Sequence, residues 1–262
     1  MALQYIGAAT TLLLLTSPLS AAPISFSVSP SLQYFHYQEF LPSGRVSNTE
    51  SGFLPGVKGS ARLAHERWQL EVLGAYFQNT VDYDGESTSG QPHQTRTDET
   101  LGQAGFSLSK TLNHPQYPSR FIFNHELRWW ERDILPANGV LGLYELYRWQ
   151  QNGLGVEQTL HQSGATQTLL GLQIFHVYDV EMEVNLFGTD VTFHPRPGNG
   201  FKAWFSWTFP WQQRRLLLSW FYQTFQFKSS ELHLVNTPGG PQLFAEPDST
   251  TQLLGMELTI PL

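Results

Sequence analysis

The chain closes on Leu254-Gly255-Met256-Glu257-Leu258-Thr259-Ile260-Pro261-Leu262. Apolar residues recur at every second position, and Gly255, Glu257 and Thr259 fill the gaps. A period of two is the side-chain repeat of a β-strand, so one face of this segment is apolar and the other polar. An apolar strand with a free edge invites pairing with other chains. Closing the sheet on itself removes the edge, because the last strand then pairs with the first. The fold therefore depends on whether a matching first strand exists and on how many strands lie between.

Ten segments carry strand-like patterning: 24–38, 56–66, 68–83, 98–112, 119–132, 142–158, 165–178, 200–209, 214–229 and 248–262. The first sets Phe26, Val28, Leu32 and Tyr34 against Ser25, Ser27, Ser31 and Gln33. The fifth sets Phe121, Phe123, Leu127 and Trp129 against Arg120, Asn124, Glu126 and Arg128. In the seventh, Leu169, Gly171, Phe175 and Val177 oppose Leu170, Leu172 and Ile174, so its facing stays open.

Short connections near 66 and at 113–118, 160–164 and 210–213 alternate with long polar ones at 40–55, 84–97, 133–141, 179–199 and 230–247. Transmembrane barrels show that asymmetry, with short turns at one end and long loops at the other. Each segment reaches the ~9–11 residues of a tilted spanning strand. The expectation is an all-β, ten-stranded antiparallel transmembrane β-barrel, an up-and-down meander. A soluble sandwich or lipocalin-like barrel would turn the apolar faces inward. Three features favour lipid outside: the mixed polar faces, the bulk of the Trp and Phe side chains, and the loop alternation.

Composition agrees. Charged residues make up 14% and aromatics 14%, while an average soluble chain carries about 25% charged residues. Mean hydropathy is −0.26, and no apolar run after residue 21 approaches the ~18 residues of a spanning helix. The net charge of −7 and the absence of a Lys/Arg stripe argue against nucleic acid as a partner. With no Cys, a disulfide framework and a lipid-anchored signal are excluded. Residues 8–19 form an apolar core too short to span, followed by Ser20, Ala21 and Ala22. Residues 1–21 are therefore expected to be a cleaved signal peptide, and 22–262 the barrel domain.

On this facing, Lys58, Arg62, Glu71, Arg120, Glu126, Arg128, Lys202, Arg215 and Glu257 point into the lumen. Buried charges must pair, so they predict either a salt-bridged plug or a narrow polar conduit. Asp82 and Asp84 share a strand face, and His176 and Asp179 stand at the same expected end of the barrel. Such groups could activate water. As a calcium loop, Asp82-x-Asp84-Gly85 lacks the bidentate acid that should follow. His93, His114, His125, His161 and His194 lack metal-ligand spacing. Trp129, Trp130, Trp149, Trp204, Trp207, Trp211 and Trp220 are expected to form an interfacial girdle. Neither a metal nor a cofactor is expected.

The first hairpin, Tyr37-Gln38-Glu39-Phe40 and Glu50-Ser51-Gly52-Phe53-Leu54-Pro55-Gly56, carries one resemblance together with Asp82-Tyr83-Asp84-Gly85, Gly90-Gln91-Pro92 and Thr95-Arg96-Thr97-Asp98. These motifs resemble a family of small ten-stranded proteobacterial outer-membrane barrel proteins. The resemblance implies a fold and a location, and no activity. The final run resembles the C-terminal signature of bacterial outer-membrane barrels, with Leu262 where that group usually ends in Phe. The Asp82, Asp84 and His176 layout loosely resembles that of omptin proteases, whose sequence motifs are missing here. Together these imply a Gram-negative outer membrane, outer-membrane lipid and the barrel-insertion machinery as partners, and a monomer. The expected role is structural or surface-interacting, with long extracellular loops and a largely plugged polar lumen. The alternatives are a narrow solute or ion channel and an omptin-like surface protease, and the leading expectation is not an enzyme.

Overall fold

The computed structural model describes residues 23–86, 90–112, 117–237 and 239–262. The expected signal segment 1–21 lies outside the described residues, and so does His114. The described residues form thirteen strands and no helix. They are β1 Ile24–Phe40, β2 Val46–His65, β3 Trp68–Glu86, β4 Pro92–Leu112, β5 Ser119–Ile134, β6 Leu143–Ser163 and β7 Thr166–Leu186. There follow β8 Thr189–Phe193, β9 Gly198–Trp211, β10 Arg214–Phe227, β11 His233–Thr237, β12 Gly240–Phe244 and β13 Asp248–Pro261.

Ten of these close an antiparallel ring. β1 to β7 pair in sequence, then β9, β10 and β13, and β13 pairs back onto β1. The seam joins Leu32 to Met256 and Tyr34 to Leu254, so the terminal run meets the first strand as its periodicity demands. Walking across the sheet from Ile24, the facing residues are Leu63, Leu70, Leu108, Phe123 and Leu154, then Ile174, Phe201, Thr224, Gln252 and His36. The circuit starts at 24 and returns at 36, a stagger of 12 residues. Twelve rises of ~3.3 Å over ten strand spacings of ~4.8 Å tilt the strands about 40° from the barrel axis.

One parity of each strand faces outward and is apolar. Ile24, Val72, Leu154, Leu172, Ile174 and Met256 are all exposed, Ile174 at 70%. So wide an apolar band on the outside of a closed barrel fits lipid, not water. Trp68, Trp207 and Trp211 mark its lower edge, and Tyr34, Tyr76 and Trp129 its upper edge. At the lower end, Glu66, Gly164 and Gln212 each open a two-residue turn with φ between 53° and 56°. That left-handed first residue is what tight hairpins require.

Three expectations change. First, the long loops are mostly strand: 40–55 shrinks to residues 41–45, and within 84–97 strand covers 84–86 and 92–97. The barrel continues above its lipid band, where both faces are polar and periodicity loses its contrast. Residues 187–193 and 233–244 add hairpins at that rim. Second, Trp130, Trp149 and Trp204 do not join the girdle. Trp130 and Trp149 are buried, and Trp204 lies inside, its indole donating to Glu157. Third, segment seven resolves, with Gly171, Gln173, Phe175 and Val177 inward. A register shift then carries Asp179 at φ 49°. This bulge flips parity, so Val180, Met182 and Val184 turn inward above it.

Candidate functional site

The interior falls into three layers. The lowest is polar and lies at the depth of the lipid band. It holds Lys58–Glu257 (3.5 Å), Arg62–Glu71 (3.4 Å), Arg120–Glu157 (2.7 Å) and Arg128–Glu126 (2.7 Å). Glu126 also accepts from Asn124 at 2.7 Å and Gln151 at 3.0 Å. Lys202 sits over the Phe221 ring at 5.0 Å. These side chains share the inward parity: the register sets Arg62 opposite Glu71 and Arg120 opposite Glu157, Arg128 and Glu126 are two residues apart on β5, and Lys58 reaches Glu257 across β1. Between them lies a cavity of about 190 Å³, lined also by Ser27, Ser29 and Ser219. Below it, Arg215 lines the mouth and makes no ion pair among the described residues.

The middle layer is apolar. Phe35, Trp130, Tyr147, Trp149, Phe225 and Phe227 fill the bore. Trp130 stacks on Tyr147 at 4.9 Å, Tyr147 on Phe227 at 6.0 Å, and Trp149 meets Phe227 edge-on at 5.3 Å. The expected polar plug is thus only part of the filling: above the polar layer an aromatic stopper closes the bore. A ring of ten strands is only slightly wider than the eight-strand case that side chains fill, and large rings close the difference.

The top layer stands above the lipid band, since Arg132 lies three residues past Trp129 and Glu39 five past Tyr34. Arg132 is fully buried there. It donates to Glu50 at 2.6 Å, to Glu39 at 3.1 Å and to Glu145. Its guanidinium lies 4.5 Å from the Tyr37 ring centre and 5.2 Å from that of Trp130. Glu99 accepts from the Trp130 indole, and Glu246 from the Tyr147 hydroxyl at 2.6 Å. One guanidinium thus meets three of five clustered carboxyls directly, and three of the five are pushed toward the protonated form. Burial pushes Glu99 well up, and the facing Glu50 carboxyl adds to it. Glu246 is raised well above the ordinary range by burial and then by Glu39 and Glu145. Burial also pushes Glu145 up to about 7, against the pull of Arg132.

The catalytic expectation is corrected. Asp82 and Asp84 face outward from β3, and His176 faces outward from β7, four strands away. Among the described residues they stand apart on the outer surface. Asp84 accepts from Gln94 at 3.5 Å, and His176 pairs with Asn199 at 2.9 Å. Among the described residues, no group of His, Asp and Glu is arranged to hold a metal ion. The five carboxyls of the top layer and Arg132 are not among the lumen residues expected from the sequence. Parity could have found them: Trp130 and Arg132 continue the inward series of Glu126 and Arg128, and Glu39 that of Ser31 and Gln33.

A closed, sheared ten-strand meander with an apolar outer band and a filled interior defines the outer-membrane class of β-barrel. No protein-family model and no curated protein matches the sequence. Among solved structures, the chain is similar to the outer membrane protease OmpT from Escherichia coli, with a TM-score of 0.58 at 7% identity. That match covers 91% of this chain and 96% of OmpT. It is also similar to the β domain of the Bordetella autotransporter Brka, at 8% identity and a TM-score of 0.41, covering 90% and 99% of the two chains. The OmpT likeness concerns the fold alone.

Proposed function

We propose that this chain is a monomeric outer-membrane barrel of a Gram-negative bacterium that does not conduct, with a structural or surface-interaction role. The observation that carries this reading is the aromatic stopper under the Arg132 cluster, which closes the bore above the polar cavity. The rim supports the surface role. Leu141, Leu232, Leu234 and Leu243 stand exposed there, beyond the lipid band, and exposed apolar patches mark contact sites. Both described chain ends lie at the lower, periplasmic end, as an exported chain delivered to the barrel-insertion machinery would place them. The outward Asp82, Asp84 and His176 give a hydrolytic role no support.

The test is planar-bilayer recording on the folded protein. No current above background is expected. Replacing Trp149, Phe225 and Phe227 together by Ala should open a path and give discrete steps. Steady conductance from the wild type would overturn the plugged reading. Peptidase activity in the wild type, lost on alanine substitution at Asp82, Asp84 and His176, would overturn the non-enzymatic one.

A further inference from the structure

The outer lipid band is interrupted on one side. His125, Asn152, His176 and Asn199 face one another in register across β5, β6, β7 and β9, all pointing outward. His125 Nδ1 pairs with Asn152 Oδ1 at 2.9 Å, and Asn152 Nδ2 donates to the Tyr178 hydroxyl at 3.0 Å. His176 Nδ1 pairs with Asn199 Oδ1 at 2.9 Å, and its ring stacks on Tyr178. His125 lies between two exposed apolar neighbours on its strand, Phe123 below and Leu127 above. It is four residues below Trp129, roughly 10 Å down the barrel axis for a ~3.3 Å rise at about 40° tilt.

Polar side chains facing hydrocarbon are costly unless their valences are met. The row meets only some of its own. His125 Nε2, His176 Nε2 and Asn199 Nδ2 make no hydrogen bond among the described residues. Directly below lies an open apolar groove of about 840 Å³, walled by Phe121, Phe123, Leu154, Leu172, Ile174 and Phe201. Its upper end meets the row, because Phe123, Leu154, Ile174 and Phe201 are the register neighbours two residues below it.

We propose that this face is a binding site for an outer-leaflet lipid whose acyl chain carries a hydroxyl or amide near its head. The chain lies in the groove, and its polar group meets the His125–Asn152–His176 row. The row climbs about 3 Å per strand from His125 toward Asn199, and at the depth of His125 and Asn152 an ordinary diacyl lipid offers only methylenes and leaves them unsatisfied. The proposal rests on the membrane reading of the outer face, and is independent of whether the bore conducts.

The test is titration of the full chain in detergent micelles, read by native mass spectrometry, with N-(3-hydroxytetradecanoyl)glucosamine and with dimyristoylphosphatidylcholine. The hydroxyacyl amide should be retained about tenfold more tightly, the worth of one or two hydrogen bonds. The double variant His125→Leu with Asn152→Leu should bind both probes alike while keeping the folded band shift on unheated gels. Leu172→Trp, which fills the groove, should weaken both. Equal binding by the wild type, or a preference that survives the double variant, would overturn the site. A conducting wild type would sink the plugged reading and leave this result standing.

Discussion

At membrane depth, Lys58, Arg62, Arg120 and Arg128 each face one glutamate; above the lipid band, Arg132 meets three carboxyls of a cluster of five. The lower layer pairs each of its glutamates with a cation, leaves Lys202 and Arg215 outside those pairs, and keeps a cavity that softens each ion's loss of water. The upper layer is packed tight against aromatic rings and balances charge with protons. Two solutions to one problem therefore sit in the same bore. The difference follows from packing: where large rings exclude water, a carboxyl keeps its proton more cheaply than it finds a partner.

The strongest way to break this contrast is Arg132→Met. It leaves five buried acids without a cation and should cost about 3–5 kcal/mol, measured by urea unfolding. The loss should be smaller at pH 5 than at pH 8, because protonated carboxyls no longer need the guanidinium. Equal losses at both values would mean the acids are not proton-balanced.

The next effect concerns the wild type. Glu99, Glu145 and Glu246 have raised pKa values in the fold, so the folded state holds more protons than the unfolded chain. Their contribution is fully present below the ordinary carboxylate range. It is lost as pH climbs, through about 7 for Glu145 and well above the ordinary carboxylate range for the other two. Between pH 5 and pH 8 the midpoint of thermal unfolding should fall by roughly 5 °C. A flat or rising profile would contradict the assignment.

Arg128→Met tests the lower layer. Glu126 keeps Asn124 and Gln151 as donors, so the cost should be about 1–2 kcal/mol in the same urea assay. A loss equal to that of Arg132→Met would erase the distinction between the layers. Smallest of all, Arg45→Ala at the exposed rim pair with Glu86 should leave unfolding unchanged.

The seam and the ten-strand count were legible because the lipid band gives each strand one apolar and one polar parity. Leu254 to Leu262 carry that contrast in full. Above the band the contrast vanishes: Thr49-Glu50-Ser51 and Asp84-Gly85-Glu86 look like loop, yet they are strand. The stopper was hidden for a different reason. Trp129 and Trp130 are adjacent and identical, and one faces lipid while the other fills the bore. Parity separates them; residue type does not. The lumen charges were visible, but their pairing needed the register. Asp179 could not be foreseen, because a bulge shows in no pattern of two.

The stagger of twelve also bears on how the ring becomes a ring. A seam shifted by one residue would turn Leu254, Met256 and Leu258 toward the polar cavity and Glu257 toward hydrocarbon. A shift of two would keep the faces but strain every other strand away from its tilt. Closure therefore acts as a proofreading step: the final strand latches in one setting, and a misthreaded chain is left with an open hem and no way to shut it.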